Sequence, residues 1–288
     1  MSLYPNFNDL IALKKRKWKG KKNFRPVKNS TSGHHVSLFR AQGLEFDAVR
    51  QYVIGDDIRA IDWRVTARTG APHIKLFHEE REHHHIICID LNETMRFGTK
   101  KTFKSIQAAE VAALLGWRGV HARDRVSAFL YGDVLGGIQT FPSGPLYPWI
   151  KVLTQEPLEK HSVNLNKVIE RLNLTHSGSI IYIISDFIDL QPDVEVLLHL
   201  LTKKCSLVFI AVNDPMDQSL YPMGTIGFTD LHKTFFIDTN RENEVYMGAW
   251  KSNRKLLYSL CSRLKIPLIE LTTESDPFRV LYERFSKC

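Results

Sequence analysis

Asp90, Asn92 and Thr94 stand at alternate positions directly after the apolar run Ile86-Ile87-Cys88-Ile89. A carboxylate at the end of such a run is costly to bury unless a cation or hydrogen-bond donors lie beside it. Short oxygen-bearing side chains spaced by two in a loop can aim at one point. A second aspartate, Asp186, closes a later apolar run, "SIIYIIS". If the two runs are neighbouring strands of one parallel sheet, both carboxylates reach the same rim, where the ligands of open α/β sheets gather.

Three kinds of chemistry fit these residues. A divalent cation such as Mg²⁺ takes a few oxygen ligands at about 2.1 Å and keeps several waters. A phospho-aspartate hydrolase of the haloacid-dehalogenase type places D-x-D-x-[TV] after its first strand. Asn92 stands where its second acid would protonate the leaving group, and an amide has no such proton. The third reading is purely local: Asp90 caps the following turn, while Asn92 and Thr94 serve the loop.

Two further clusters carry polar chemistry. In "GDDIRAIDWRVTAR" the Gly55-Asp56-Asp57 segment reads as a turn, and Asp56, Asp57, Arg59, Asp62, Arg64 and Arg68 crowd around Trp63. Arg–carboxylate forks there can fix a loop, or Arg and Trp can anchor a partner. No nucleophile with an adjacent base is present, so catalysis is not expected. "EEREHHH" offers His83, His84 and His85, with His78 upstream. His83 and His85 share a face on a strand and can begin a metal site, but no third ligand is placed for them. His34 and His35 read the same way.

Charge is distributed unevenly. Of a net charge of +8, the whole excess lies in the first 30 residues, which hold nine Lys or Arg and only Asp9 as an acid; the rest is balanced at 30 of each sign. Lys14, Lys15, Arg16, Lys17, Lys19, Lys21 and Lys22 therefore describe a basic arm over residues 1–32, expected to be solvated and partly disordered. Such an arm can hold nucleic acid or an anionic membrane surface, and Trp18 and Phe24 can stack or sit at an interface.

The elements that must position these groups follow from periodicity. In residues 33–85, Ile61, Trp63, Val65 and Ala67 alternate with polar residues and predict a strand. "PHIKLFHEE" is its expected hairpin neighbour, with "RTGAP" as the turn. A small β-rich subdomain is expected there. From residue 86 to 288, strand-length apolar runs alternate with helical stretches. Phe103, Ile106, Ala109, Ala113, Trp117 and Val120 define the apolar face of the first long helix. Asp276 with Pro277 marks the start of the last. Alternation of this kind predicts an α/β domain with a doubly wound, mostly parallel sheet. Cysteines 88, 205, 261 and 288 stand singly, which fits a reducing compartment and not structural zinc. No apolar run approaches the roughly 20 residues of a membrane span, so a cytoplasmic protein is expected.

The segment from Gly43 to Gly98, "GLEFDAVRQYVIGDDIRAIDWRVTARTGAPHIKLFHEEREHHHIICIDLNETMRFG", closely resembles the signature of the bacterial domain-of-unknown-function-58 family. The likeness continues through "ISDF" and the late "DP" helix. It implies a von Willebrand factor A-type domain with a small β-rich insertion, acting with a MoxR-type AAA+ ATPase to assemble or remodel a client complex. The function implied is a non-enzymatic adaptor. It further implies a metal-ion-dependent adhesion site at Asp90, Asn92, Thr94 and Asp186, with Mg²⁺ as the ligand. The intermediate threonine of that site falls on Val163, between Ser162 and Asn164, so the site is degenerate. A Mg²⁺-dependent phosphohydrolase using Asp90, or anionic-surface binding through the basic arm, are the alternatives.

Overall fold

The computed structural model describes residues 4–18, 44–79, 83–156, 162–175, 177–230 and 233–286. The chain forms two compact units, one from Met1–Asn29 with His83–Cys288 and one from Ser30–Glu82. It begins, in the larger unit, with α1 (Phe7–Ala12), capped by the Asn6 side chain.

In the smaller unit, β1 (Leu44–Gln51), α2 (Trp63–Thr69) and β2 (His73–Glu79) follow one another. β1 pairs antiparallel with β2, with a bulge between Phe46 and Ala48. The strand expected over residues 61–68 is instead helix α2. Asp62 accepts the N–H groups of Arg64 and Val65 at 3.0 and 3.2 Å and caps the helix. Gly70, at φ 76°, ends it in the left-handed conformation. Seven residues between an N-cap and a glycine satisfy two helical turns as well as strand alternation, and here the caps decide. "RTGAP" is therefore a helix end and not a hairpin turn, and the partner of β2 is β1.

The larger unit continues with β3 (His84–Leu91), α3 (Lys104–His121), β4 (Arg125–Gly132), β5 (Ile138–Phe141), α4 (Tyr147–Leu153), α5 (Leu165–Leu172) and β6 (Ile180–Ser185). Then come α6 (Val194–Thr202), β7 (Ser206–Asn213), α7 (Pro215–Gln218), β8 (Thr225–Asp230), β9 (Lys233–Asp238), α8 (Thr239–Leu264), β10 (Leu268–Thr272) and α9 (Pro277–Ser286). The sheet order is β10-β7-β6-β3-β4-β5, and only β5 runs antiparallel to its neighbour. Alternate residues of the central strands feed two cores. Ile87, Ile89, Tyr182 and Ile184 pack with α1, α3, α4 and α9. Ile86, Cys88, Ile181 and Ile183 pack with α5, α6 and α8. Helices thus cover both faces, as continuously apolar parallel strands require. β5 and the β8–β9 hairpin were not evident from periodicity.

Helix α3 differs from the expected single apolar face. Val120 is exposed and Ile106 half-buried, while Lys104, Gln107 and the Ala108–Leu115 stretch lie mostly inside. Alanine and glycine let the helix lie close on the sheet, so that most of its circumference is covered. A Cβ added at Gly119 would meet Val126 Cγ2 at 2.5 Å.

The expected basic arm is docked over residues 4–18. Leu10 is buried, and its carbonyl accepts the Trp117 indole N–H at 3.1 Å. Trp18 packs on Phe278 and Phe285, with the Arg118 guanidinium over its ring. Lys14 lies over the Trp117 ring and Arg16 over that of Phe278. Aromatic burial holds this stretch against the helices in spite of its charge. Lys19, Lys21, Lys22, Phe24, His34 and His35 lie outside the described residues. Leu10→Ala is expected to lower stability by about 2–4 kcal/mol in urea unfolding, as for other buried leucines; a solvated arm would show no change. Among the described residues, no helix is long and apolar enough to cross a membrane.

Candidate functional site

The β3–β6 register pairs Ile89 with Ile184, which sets Asp90 level with Ser185 and Asp186 one residue further along the same rim. Both carboxylates are buried, Asp90 at 5% exposure. The Ser185 hydroxyl donates to Asp90 Oδ2 at 2.6 Å and accepts the Phe187 N–H at 3.0 Å. The Asn92 N–H donates to Asp90 Oδ1 at 2.9 Å. Burial, and then the charge of Asp186, push the Asp90 carboxyl up to about 7, against the pull of Ser185, the Asn92 amide and Tyr131. The Tyr131 phenol is raised well above its ordinary value by burial and by Asp90.

Asp186 faces a cation that belongs to the chain. Lys104, the first residue of α3 and 1% exposed, places its ammonium 2.8 Å from Asp186 Oδ2 and 3.2 Å from Asp217. The Phe97 ring lies 5.8 Å from the ammonium. Burial alone would lower the lysine pKa, but the charges of Asp186 and Asp217 outweigh it and the net direction is upward. Asp186 Oδ1 accepts the Ile188 N–H at 3.1 Å. Asp217 belongs to a capping box at α7, where its Oδ2 accepts the Asp214 N–H at 2.7 Å.

Asp214 extends the cluster past the end of β7. Its carboxylate accepts the Thr99 and Thr273 hydroxyls at 2.6 and 2.7 Å and the Thr99 and Met216 N–H groups at 3.0 and 2.9 Å. Burial works against ionisation there, and the hydroxyl and amide donors still hold the group below its ordinary pKa. Behind the rim, the buried Arg254 donates from Nη2 to the Asp186 carbonyl at 2.7 Å and to Asn213 Oδ1. Sequence reading missed Lys104, Tyr131, Ser185, Asp214, Asp217 and Arg254. Asp214 was within reach, because it too follows an apolar strand run.

Asn92 and Val163 do meet at the rim. The Asn92 amide accepts the Val163 N–H at 3.0 Å and donates to the Val163 carbonyl at 3.1 Å. A valine in place of the expected threonine thus contributes through its backbone, and Asn92 serves the loop. Thr94 is half-buried in the short turn Glu93–Arg96. Arg96 in that turn pairs with Asp133. Asn92→Ala removes both bonds to Val163. It is expected to cost about 1–2 kcal/mol, with faster hydrogen exchange at the Val163 amide; unchanged exchange there would show that Asn92 does not hold the loop.

These oxygens do not fit a divalent cation. Every carboxylate or amide oxygen of Asp90, Asn92 and Asp186 already accepts a hydrogen bond from the protein, and the ammonium of Lys104 neutralises Asp186 directly. Mg²⁺ needs near-octahedral oxygens at close range, and here it would have to displace the Lys104 ammonium from Asp186 or sit beside that positive charge. Among the described residues, no group of three or more His, Cys, Asp or Glu is arranged to hold a metal ion. His85 is a buried core histidine, stacked on Tyr182 and bonded through Nε2 to Asp124 Oδ2 at 3.0 Å. His84 bonds Ser127 through Nε2 at 2.7 Å. The side chain of His78 lies outside the described residues.

In the smaller unit, the acids of the crowded signature are used locally. Asp56 takes a two-pronged pair from Arg50 at 2.7 and 2.8 Å and accepts the Val53 N–H at 2.9 Å. Asp57 caps Arg59, while Asp62 caps α2 and lies 3.7 Å from Lys75. The fork comes from Arg50, outside the expected set; Arg59, Arg64 and Arg68 are exposed. The loop so fixed presents Val53, Ile54 and Ile58 to solvent, and the first residue of α2 presents Trp63, Ile54 at 97% and Trp63 at 69% exposure.

Fold and site together define a doubly wound α/β domain with a buried, self-neutralised acidic cluster at the carboxyl rim of its sheet. Residues 48–255 match the family model described as Protein of unknown function DUF58, and the chain belongs to that family. It is 33% identical over 98 residues to uncharacterized proteins of Mycobacterium bovis and Mycobacterium tuberculosis. That match spans 34% of this chain and only 31% of the length of those relatives. Two solved structures are similar over 71% of the chain. The crystal structure of BatB from Bacteroides thetaiotaomicron matches over 98% of its length at 14% identity with a TM-score of 0.44. An aerotolerance-related membrane protein from Bacteroides fragilis matches over 97% of its length at 13% identity with a TM-score of 0.46.

Proposed function

We propose that the chain is a non-enzymatic adaptor of von Willebrand factor A type in the cytoplasm. It acts with a MoxR-type AAA+ ATPase in assembling or remodelling a client complex, and it docks through the signature loop of its smaller unit. The observation that carries this reading is the exposure of Val53, Ile54, Ile58 and Trp63 on a loop held by the Arg50–Asp56 pair and the Asp57 and Asp62 caps. Large apolar side chains exposed to water, with arginines around them, are the composition of a binding hot spot. The rim acids support a structural role for the sheet end, since they face Lys104, Ser185 and backbone amides.

The phosphohydrolase alternative has no comparable support. Asn92 faces the Val163 backbone and supplies no acid for a leaving group. Anionic-surface binding is weakened for Lys14 and Arg16, which lie over the chain's own aromatic rings.

The test is retention of the full chain by an immobilised MoxR-type ATPase encoded in the same genome. Wild type is retained, and Ile54→Asp with Trp63→Ala is lost while its melting temperature is unchanged. Retention of the double variant at the wild-type level sinks the docking assignment.

A further inference from the structure

We infer that the Lys104 ammonium is the resident cation of the rim, in place of a divalent metal, and that the rim works without metal uptake. Three observations lead there. The ammonium is fully enclosed, with Asp186 from the end of β6 and Asp217 from α7 at 2.8 and 3.2 Å. It stands at the first residue of α3, the end of a helix where a positive charge is least welcome. Nothing in the propensity of that helix calls for a lysine there; the two acids do. Finally, the oxygens a metal would need are turned to donors of the chain: Asp90 to Ser185 and the Asn92 amide, Asn92 to Val163, Asp186 to Lys104 and the Ile188 amide.

The arrangement has a consequence for recognition. Where a divalent cation holds open coordination positions, a partner's carboxylate can complete its shell. An enclosed ammonium has no open position to offer. A partner of this chain is therefore not recognised by an acidic side chain delivered to the rim. The inference rests on reading the rim as a von Willebrand-type cation position. It is tested without any partner, so its failure is distinct from failure of docking.

The experiment is titration of the chelator-treated full chain with Mn²⁺, followed by electron paramagnetic resonance of free Mn²⁺, with Mg²⁺ as competitor. Wild type takes up no Mn²⁺ that Mg²⁺ displaces at millimolar concentration. Lys104→Ser exposes the Asp186 and Asp217 oxygens without the competing charge, and its affinity for Mn²⁺ rises by roughly tenfold or more. A rise in its melting temperature with Mn²⁺ accompanies that gain. Lys104→Arg stays metal-free. One-to-one uptake by wild type that is lost in Asp186→Asn overturns the inference, and so does a folded Lys104→Ser that gains no affinity. If Lys104→Ser folds only with Mn²⁺ present, the substitution of one cation by another is supported. If it does not fold at all, the wild-type titration decides.

Discussion

Lys104→Met lowers the stability of the larger unit by about 3–5 kcal/mol at pH 8, the usual cost of removing one partner from a buried ion pair. Methionine keeps the length and apolar stem, so packing against α3's neighbours changes little. What is lost is the counter-charge. Asp186 and Asp217 are both buried, and without the ammonium neither has another cation at hydrogen-bond distance on the side it leaves. The Arg254 guanidinium donates from Nη2 to the Asp186 carbonyl and to Asn213, not to either carboxylate. Asp217, whose carboxyl burial already pushes up, then meets that cost by taking up a proton. The deficit therefore shrinks at pH 5, where protonation is easier, and adding Asp186→Asn and Asp217→Asn recovers part of it at pH 8. Urea unfolding at both pH values checks this. A loss of less than about 1 kcal/mol at pH 8 would mean that Lys104 is not the charge that holds the cluster.

Asp90→Asn is expected to change sign with pH. The folded carboxyl titrates at about 7 against an ordinary 3.8. Below the ordinary value Asp90 is neutral in both states and contributes no charge penalty. As pH rises through the window from about 4 to about 7, the unfolded chain loses this proton first, and the native state loses stability relative to it. Above about 7 the full penalty is present, up to about 4 kcal/mol by linkage. Asparagine removes that penalty but keeps only one acceptor oxygen for the two donors, Ser185 and the Asn92 amide. Of the groups around it, the charge of Asp186 disfavours the ionised carboxylate, while the Tyr131 phenol favours it. The variant is thus destabilised by about 1 kcal/mol at pH 4 for the lost hydrogen bond. At pH 8 it is stabilised by about 2 kcal/mol, most of the charge penalty being relieved. Melting temperatures across pH 4–8 read this out; parallel curves for wild type and variant contradict it.

The sheet was legible because its strands are covered on both faces and read as uninterrupted apolar runs. Asp90 and Asp186 were legible for the same reason: an acid that ends such a run must lie at the rim. Lys104 was not. It sits in a lysine-rich stretch, "TKKTFKS", where a single buried lysine looks like its solvated neighbours. Only the three-dimensional convergence of Asp186 and Asp217 distinguishes it. Asp217 was equally hidden, because α7 spans four residues and leaves no periodicity to read. The stretch from Ile61 misled because Trp63, Val65 and Ala67 alternate in polarity over a length that two helical turns also fill; the caps at Asp62 and Gly70 were the better signal. The basic N-terminal stretch misled in the opposite direction. Its charge describes the outer face, while Leu10 and Trp18 fasten the inner one.

The rim and the loop assign different places to a partner, and hydrogen exchange of the full chain with and without the proposed MoxR-type ATPase separates them. Docking through the loop slows exchange over residues 53–63, centred on Ile54 and Trp63, and leaves residues 90–94 and 186–188 unchanged. Slowed exchange at the rim together with an unaffected 53–63 segment would contradict it.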